Sequence, residues 1–147
     1  MSGFKTDLLT GLAVYFAGAG IGATWNTTGA YTALQTGIVL GVVPQAPDRV
    51  IALSAYDVSD DPKLSDSVIG VQVRTRWSGS DPRGVDDLDD AIFDLLHDKE
   101  GLTLSTHVFV VQCLRKSGTP LGQDANQRWS RSANYYVTVH RPSANRT

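Results

Sequence analysis

Three histidines and one cysteine are the residues whose chemistry could support a metal site. Such a site needs its nitrogen and sulfur ligands at short, regular spacing. His97, His107 and His140 show no short spacing with one another or with Cys113. The sequence therefore predicts no metal site and no other cofactor.

Five aspartates recur at helical spacing in the second half of the chain. A one-sided polar row is typical of a solvated helix face, and acids in a first turn suit the helix dipole. We interpret the row as a solvated face, with a cation site as the alternative. Its members are Asp86, Asp87, Asp90, Asp94 and Asp98.

Two segments invite comparison with catalytic motifs. A hydrolase elbow places serine between glycines as G-x-S-x-G, whereas residues 77–84 read WSGSDPRG. A phosphate loop follows a strand and reads G-x-x-x-x-G-K-[ST], whereas the glycine-rich residues 18–29 follow a predicted helix and contain no lysine. Neither motif is complete, so we expect a protein that is not an enzyme.

Length and composition favour one globular domain covering residues 1–147. The chain has 147 residues and a formal net charge of −2, which implies no strong attraction to nucleic acid or anionic lipid. The single cysteine excludes an intrachain disulfide, and no apolar stretch is long enough for a membrane span. Residues 8–19 lack the basic leader of a signal peptide, so we expect assembly in the cytoplasm.

Hydrophobic periodicity predicts two helices and five or six strands. The helices are expected at residues 3–17 and 81–101, the second capped by Asp81 and ended by Gly101. Strands are expected at residues 38–44, 49–56, 68–77, 106–116 and 132–141, with a short one near 23–25. The pattern predicts an α+β fold of two layers, with both helices on one face of a mainly antiparallel sheet.

The strand at residues 68–77 carries two arginines on the side away from its apolar residues. Arg74 and Arg76 are either solvated on an exposed sheet face or anchor an interface through carboxylates. Both readings stay open at the level of sequence.

The strand at residues 106–116 is apolar on both sides. Because a two-layer domain covers only one face of its sheet, one side of this strand needs a further cover. We therefore assign Val108 and Val110 to a contact with a partner or a second copy.

Two polar segments, residues 57–67 and 118–130, are expected to be flexible loops that order on docking. Segments with few apolar side chains do not offset the entropy of ordering. Leu64 in the first segment, and Leu121 with Trp129 in the second, are the expected anchors in a partner's groove.

Several motifs together resemble a family of bacteriophage minor capsid proteins that act as tail terminators. They are PQAPDRVIAL, DDPKL, GVQVRTR, AIFDLLH and PLGQDANQRWSRSANYYVTVHR, in that order over roughly residues 5–141. No single motif decides the resemblance; their order over most of the chain does.

The resemblance implies a virion protein without catalysis, whose α+β subunit forms a homo-oligomeric, six-fold ring. That ring caps the tail tube and joins it to the neck of the head, so its partners are the tail tube protein and a head-completion protein. Genome DNA would pass through the ring without specific binding. The alternatives are a head-completion (stopper) ring protein and a small α+β hydrolase or ligand-binding domain.

Overall fold

The structure is a computed structural model that describes residues 2–146. Within this range the chain forms two helices and seven strands. In order they are α1 (Phe4–Ala17), β1 (Ala23–Trp25), β2 (Thr36–Leu40), β3 (Arg49–Asp60), β4 (Asp66–Trp77), α2 (Arg83–Leu96), β5 (Lys99–Thr103), β6 (Phe109–Gln123) and β7 (Trp129–His140).

The seven strands form one mixed, curled sheet in the order β1-β2-β3-β4-β7-β6-β5. The β1–β2 and β2–β3 pairs are parallel, and the other pairs are antiparallel. Parallel neighbours need a crossover, and here residues 26–35 and 41–48 make the two crossovers without a helix. The predicted α+β class is confirmed, and the sheet is mixed, with two parallel pairs beside the antiparallel ones.

The two predicted loops at residues 57–67 and 118–130 are largely strand, so this prediction is wrong. β3 runs on to Asp60 and β4 starts at Asp66, while β6 runs to Gln123 and β7 starts at Trp129. The strands continue to pair through their backbones in these segments. Because the side chains on both faces are solvated there, the sequence shows no alternation of apolar and polar residues. Three irregularities in the β6–β7 register bend this long hairpin.

Helix α1 agrees with its predicted bounds within one residue. Leu8, Leu12 and Phe16 recur every four residues and are buried. Gly18 follows the last turn, and Gly20 at φ +77° turns the chain away.

Helix α2 starts at Arg83, one residue later than predicted, and also ends earlier. Pro82, and not the predicted Asp81, is the N-cap residue, although the Asp81 carboxylate accepts a hydrogen bond from the backbone N–H of Arg83 at 3.0 Å. The predicted end at Gly101 is wrong, because Asp98 at φ +60° reverses the chain and donates its N–H to the Cys113 carbonyl at 2.7 Å. Gly101 lies within β5, a strand that the sequence pattern did not predict.

Both helices share one hydrophobic core with the same face of the sheet. It includes Phe16 of α1, Ile92 of α2, and Val71 and Tyr135 of the central strands. The other side of the sheet, which we call the outer face, carries the alternate residues of β3, β4, β7 and β6. Across it the register aligns Tyr56, Gly70, Tyr136 and Leu114.

Part of the outer face has its own small cluster. Val39, Val50 and Ala52 are buried there under Tyr31 and Val43, which come from the two crossover segments. Within residues 2–146, no helix combines the length and apolar character needed to span a membrane.

Candidate assembly interface

Arg76 lies on the outer face, as its alternation predicts, but a loop covers it. Its Nε donates to the Asp48 carbonyl at 2.8 Å and its Nη2 to the Pro47 carbonyl at 2.7 Å. Only 6% of the residue is exposed. Burial lowers the pKa of Arg76, and the nearby Arg128 cation lowers it further. The expectation that Arg76 offers an exposed contact is therefore wrong: it holds residues 45–48 against the sheet.

Arg128 holds the same loop from the turn between β6 and β7. Its Nη1 donates to the Gln45 carbonyl at 2.6 Å and lies 3.2 Å from Asp48 Oδ1. Its Nη2 donates to Gln45 Oε1 at 2.9 Å, and its Nε pairs with Asp124 Oδ2 at 2.9 Å. Hydrogen bonds from the Arg128 backbone and side chain lower the pKa of Asp124. We call Gln45, Asp48, Arg76, Asp124 and Arg128 the arginine clamp.

The arginine clamp gathers three of the motifs that carry the family resemblance. Asp48 closes PQAPD, Arg76 closes GVQVRTR, and Arg128 lies in LGQDANQR. Arg128 is 80 positions from Asp48 in sequence, so the contact joins distant segments. Carboxylates offset the two like charges, and carbonyl oxygens of residues 45–48 accept further hydrogen bonds from both guanidinium groups.

A fourth motif position, Gly70, lies under an aromatic ring. A Cβ built on Gly70 would lie 2.2 Å from the Tyr56 ring, so only glycine admits this ring. Tyr56 Oη donates to Asn134 Oδ1 at 3.1 Å, and Asn134 Nδ2 donates to Ser117 Oγ at 3.1 Å. Burial raises the pKa of Tyr56, and Tyr136 beside it adds to the effect. Four strands are thus linked across the outer face.

The stretch that is apolar on both sides in the sequence has apolar side chains on both faces of the sheet. Its candidate contact residues, however, point into the core. Val108 and Val110 are 5% and 1% exposed and belong to the core shared with the helices. Their assignment to a partner contact is wrong, because the subunit itself covers them. Phe109 and Val111 are the exposed members of this stretch, at 40% and 37%.

The remaining candidate residues lie apart from one another. Leu64 is exposed in the turn between β3 and β4, near the end of the sheet where Asp66 pairs with His140. Trp129 is the first residue of β7 and lies beside the opposite end of β4. It donates its indole N–H to the Ser80 carbonyl at 2.8 Å. Leu121 is exposed on β6. The structure therefore brings Leu121 and Trp129 to one hairpin and leaves Leu64 elsewhere.

The acidic helix face divides into paired and unpaired carboxylates. Asp86 pairs with Arg131 at 3.1 Å. Asp87, Asp90 and Asp94 are exposed on α2 and form no ion pair within residues 2–146. Asp98 lies beyond the helix end and accepts a hydrogen bond from Gln112 at 2.9 Å.

Asp89 is an acid whose role the sequence reasoning missed. It is 5% exposed and lies 3.7 Å from Arg131 and 4.0 Å from Arg115. Burial raises its pKa, against the opposing effect of the two arginines. The sequence could have indicated its burial through its spacing. Asp89 lies four residues after Val85 and three before Ile92, which puts it on the buried stripe of the helix.

The motifs, the clamp and the fold agree with a comparison against protein families. A family model described as bacteriophage tail terminator protein matches residues 15–141.

The chain belongs to the bacteriophage tail terminator protein family.

This membership confirms the resemblance inferred from the motifs and places the protein in the virion.

A solved structure titled virion of native gene transfer agent (GTA) particle contains a chain with the same fold as this tail terminator family member. The TM-score is 0.62 and the identity 14%, over 93% of this chain and 98% of that chain. A comparison with curated proteins finds no significant match.

Residue types that often act in catalysis make structural contacts in this tail terminator family member. Ser65 Oγ lies 3.0 Å from His140 Nδ1, and Asp66 Oδ1 lies 3.6 Å from the same nitrogen, whereas a hydrolytic triad uses opposite ring nitrogens. Cys113 is buried, and burial raises its pKa to about 12. Within residues 2–146 no group of three or more His, Cys, Asp or Glu is placed to hold a metal ion.

Proposed function

We propose that the protein forms a six-fold ring that caps the phage tail tube and joins it to the head or neck. The observation that carries the proposal is the tail terminator family match over residues 15–141. In this proposal the chain, residues 1–147, acts as a single unit, and its task is assembly without catalysis. Its partners are other copies of itself, the tail tube protein and a head-completion protein.

The mechanical demands of a ring cap fit the contacts within the subunit. A subunit that meets a tube on one side and a neck on the other needs loops that keep their shape under load. The arginine clamp fixes the crossover at residues 41–48 to both β4 and the β6–β7 turn. Buried, hydrogen-bonded guanidinium groups of this kind rigidify a loop.

The electrostatics fit a ring through which DNA passes. Most of the basic side chains are engaged with carboxylates or backbone carbonyls inside the subunit, as in the arginine clamp. Tight DNA binding arises from free Lys and Arg that neutralise phosphates. A ring of such subunits would therefore let DNA slide.

The test is light scattering on the purified protein, alone and after mixing with polymerising tail tube protein. We expect a ring of about six subunits on the tube and an end to tube growth. The matched control is the same mixture with the tail terminator omitted. A protein that ignores tubes and binds an isolated head-neck complex would be a stopper, and the proposal would be wrong.

A further inference from the structure

We propose that the outer face of one subunit docks on the acidic stripe of helix α2 in the next subunit of the ring. The acidic stripe is the exposed row Asp87, Asp90 and Asp94. The inference rests on the proposed ring and names the two surfaces that build it. Its occupant is a second copy of this chain.

The outer face is open and partly apolar in the region beyond the crossover segments. Tyr56 is 38% exposed and Phe109 is 40% exposed, and Tyr136 and Leu114 between them are half-buried. The register places Tyr56, Tyr136 and Leu114 in one row across three strands, with Gly70 beneath the first ring. Aromatic groups with a polar tip are enriched in protein interfaces.

This face carries positive charge that the subunit leaves without a counterion. Arg74 is exposed on β4, and Lys116 lies with its Nζ 5.7 Å from the centre of the Tyr136 ring. Neither forms an ion pair with a carboxylate within residues 2–146. Their strands are separated only by β7, and Arg74 is level with Ser132 of β7 and Thr119 of β6, three residues from Lys116. Their backbones therefore lie roughly 13 Å apart at ordinary strand spacings.

The acidic stripe provides opposite charge over a comparable length. Asp87 and Asp94 are seven residues apart on one helix face, which is about 10 Å along the helix axis. Asp90 lies between them on the same face. Like Arg74 and Lys116, these aspartates form no ion pair in the part of the chain that the structure describes.

The position of the two surfaces requires a head-to-tail contact. α2 packs on the core face of the sheet, and Arg74 projects from the outer face, so the two charges lie on opposite sides of the subunit. A two-fold dimer would bring each surface against itself and oppose like charges. Head-to-tail contacts give each copy one surface of each kind and close into a ring when the rotation allows.

Charge reversal tests the pairing. Variant one carries Arg74→Glu and Lys116→Glu, variant two carries Asp90→Lys and Asp94→Lys, and variant three carries all four changes. The readout is ring formation on tail tubes by light scattering, with thermal unfolding to check that each variant folds. Lys63→Glu, at an exposed lysine in the β3–β4 turn, is the matched control.

We expect variants one and two each to weaken ring formation at least tenfold, and the variant with all four changes to recover to within about threefold of the parent. The Lys63→Glu control should match the parent. Normal ring formation by variants one and two, or no recovery in variant three, would overturn the proposal.

A second arm separates this outcome from the failure of the ring itself. If the parent protein forms no ring on tubes, the proposed function fails; if it does and the charge variants do too, only the docking surface fails. Binding of a short DNA duplex is measured in parallel. Loss of duplex binding in variant one, with normal rings from variant two, would make the outer face a nucleic-acid surface and overturn the proposal.

Discussion

Arg128 Nη1 lies 3.2 Å from Asp48 Oδ1, across 80 positions of sequence. This ion pair ties the turn between β6 and β7 to the crossover before β3. Arg128 is 5% exposed, and most of its donors are satisfied by groups within the subunit. The contact brings motifs that are far apart in the chain together in space.

Replacing Arg128 with alanine should destabilise the subunit. The change removes the donors of the Gln45 carbonyl and of two carboxylates, so we expect a loss of about 2 kcal/mol in the free energy of unfolding. Denaturant titration of the monomeric subunit measures it. Arg74→Ala, at an exposed arginine on the neighbouring strand, is the control and should change stability by less than about 0.5 kcal/mol. Equal effects of the two changes would contradict the clamp.

Gly70→Ala should displace the Tyr56 ring. The added methyl group would lie 2.2 Å from ring carbons, so the ring has to leave its hydrogen bond to Asn134. We expect a cost of about 1–2 kcal/mol, because Tyr56 is partly exposed and moves aside. In a Tyr56→Ala background the same change should cost much less, which a double-mutant cycle measures. Additive effects would show that the two residues do not interact.

Val110 and Phe109 should separate stability from assembly. Val110→Ala removes buried methyl groups and should lower the free energy of unfolding by about 2 kcal/mol. Phe109→Ala, at a half-exposed ring, should lower it by less than about 1 kcal/mol and weaken ring formation on tubes. Thermal unfolding and light scattering on both variants give the comparison. A reversed pattern would restore the original assignment of Val110 to an interface.

Asp89 should make stability depend on pH in a defined direction. Its pKa in the folded state is raised above the ordinary 3.8, so the folded state holds the proton more tightly than the unfolded chain. The stabilising contribution of protonated Asp89 is present at low pH and is lost as pH rises through the folded-state pKa. We expect the stability of the parent relative to Asp89→Asn to fall as pH rises above the ordinary carboxyl pKa of about 4.

Asp94→Asn, at an exposed acid of the same helix, is the control for this pH series. Its stability relative to the parent should change little over the range. A parent that gains stability over Asp89→Asn as pH rises would mean that Arg115 and Arg131 outweigh burial.

Cys113 should be inert in the folded protein. It is buried, and burial raises its pKa to about 12, so the thiolate that reacts with disulfide reagents is scarce at neutral pH. We expect slow labelling by a disulfide reagent in native buffer and full labelling in denaturant. Rapid native labelling would contradict the burial of β6 in the core.

The sequence predicted the elements that carry an apolar period and missed those without one. α1, the middle of β3 and β4, and α2 bury one row of side chains, and that row is visible as a repeat. Residues 57–60 and 118–123 pair through backbone hydrogen bonds while their side chains stay largely exposed, so they were predicted as loops. β5 is short and contains Gly101 at φ +63°, which sequence reasoning took as a helix end.

For the candidate interface residues too, the local pattern predicted some features and missed others. Alternation placed Arg74 and Arg76 on the outer face correctly, but it does not show which loop crosses that face. The cover on Arg76 comes from residues 45–48, and the contacts with Arg128 come from a distant turn. Both depend on long-range packing, which no local pattern reports.

Electron microscopy of tail tube ends shows whether the protein caps the tube as a ring. Tubes assembled with the purified protein are imaged, and the ends are averaged without imposed symmetry. We expect a six-fold ring of this subunit on one end of each tube, and uncapped ends when the protein is omitted. Tube ends without added density, beside protein that is found only at head vertices, would contradict this expectation.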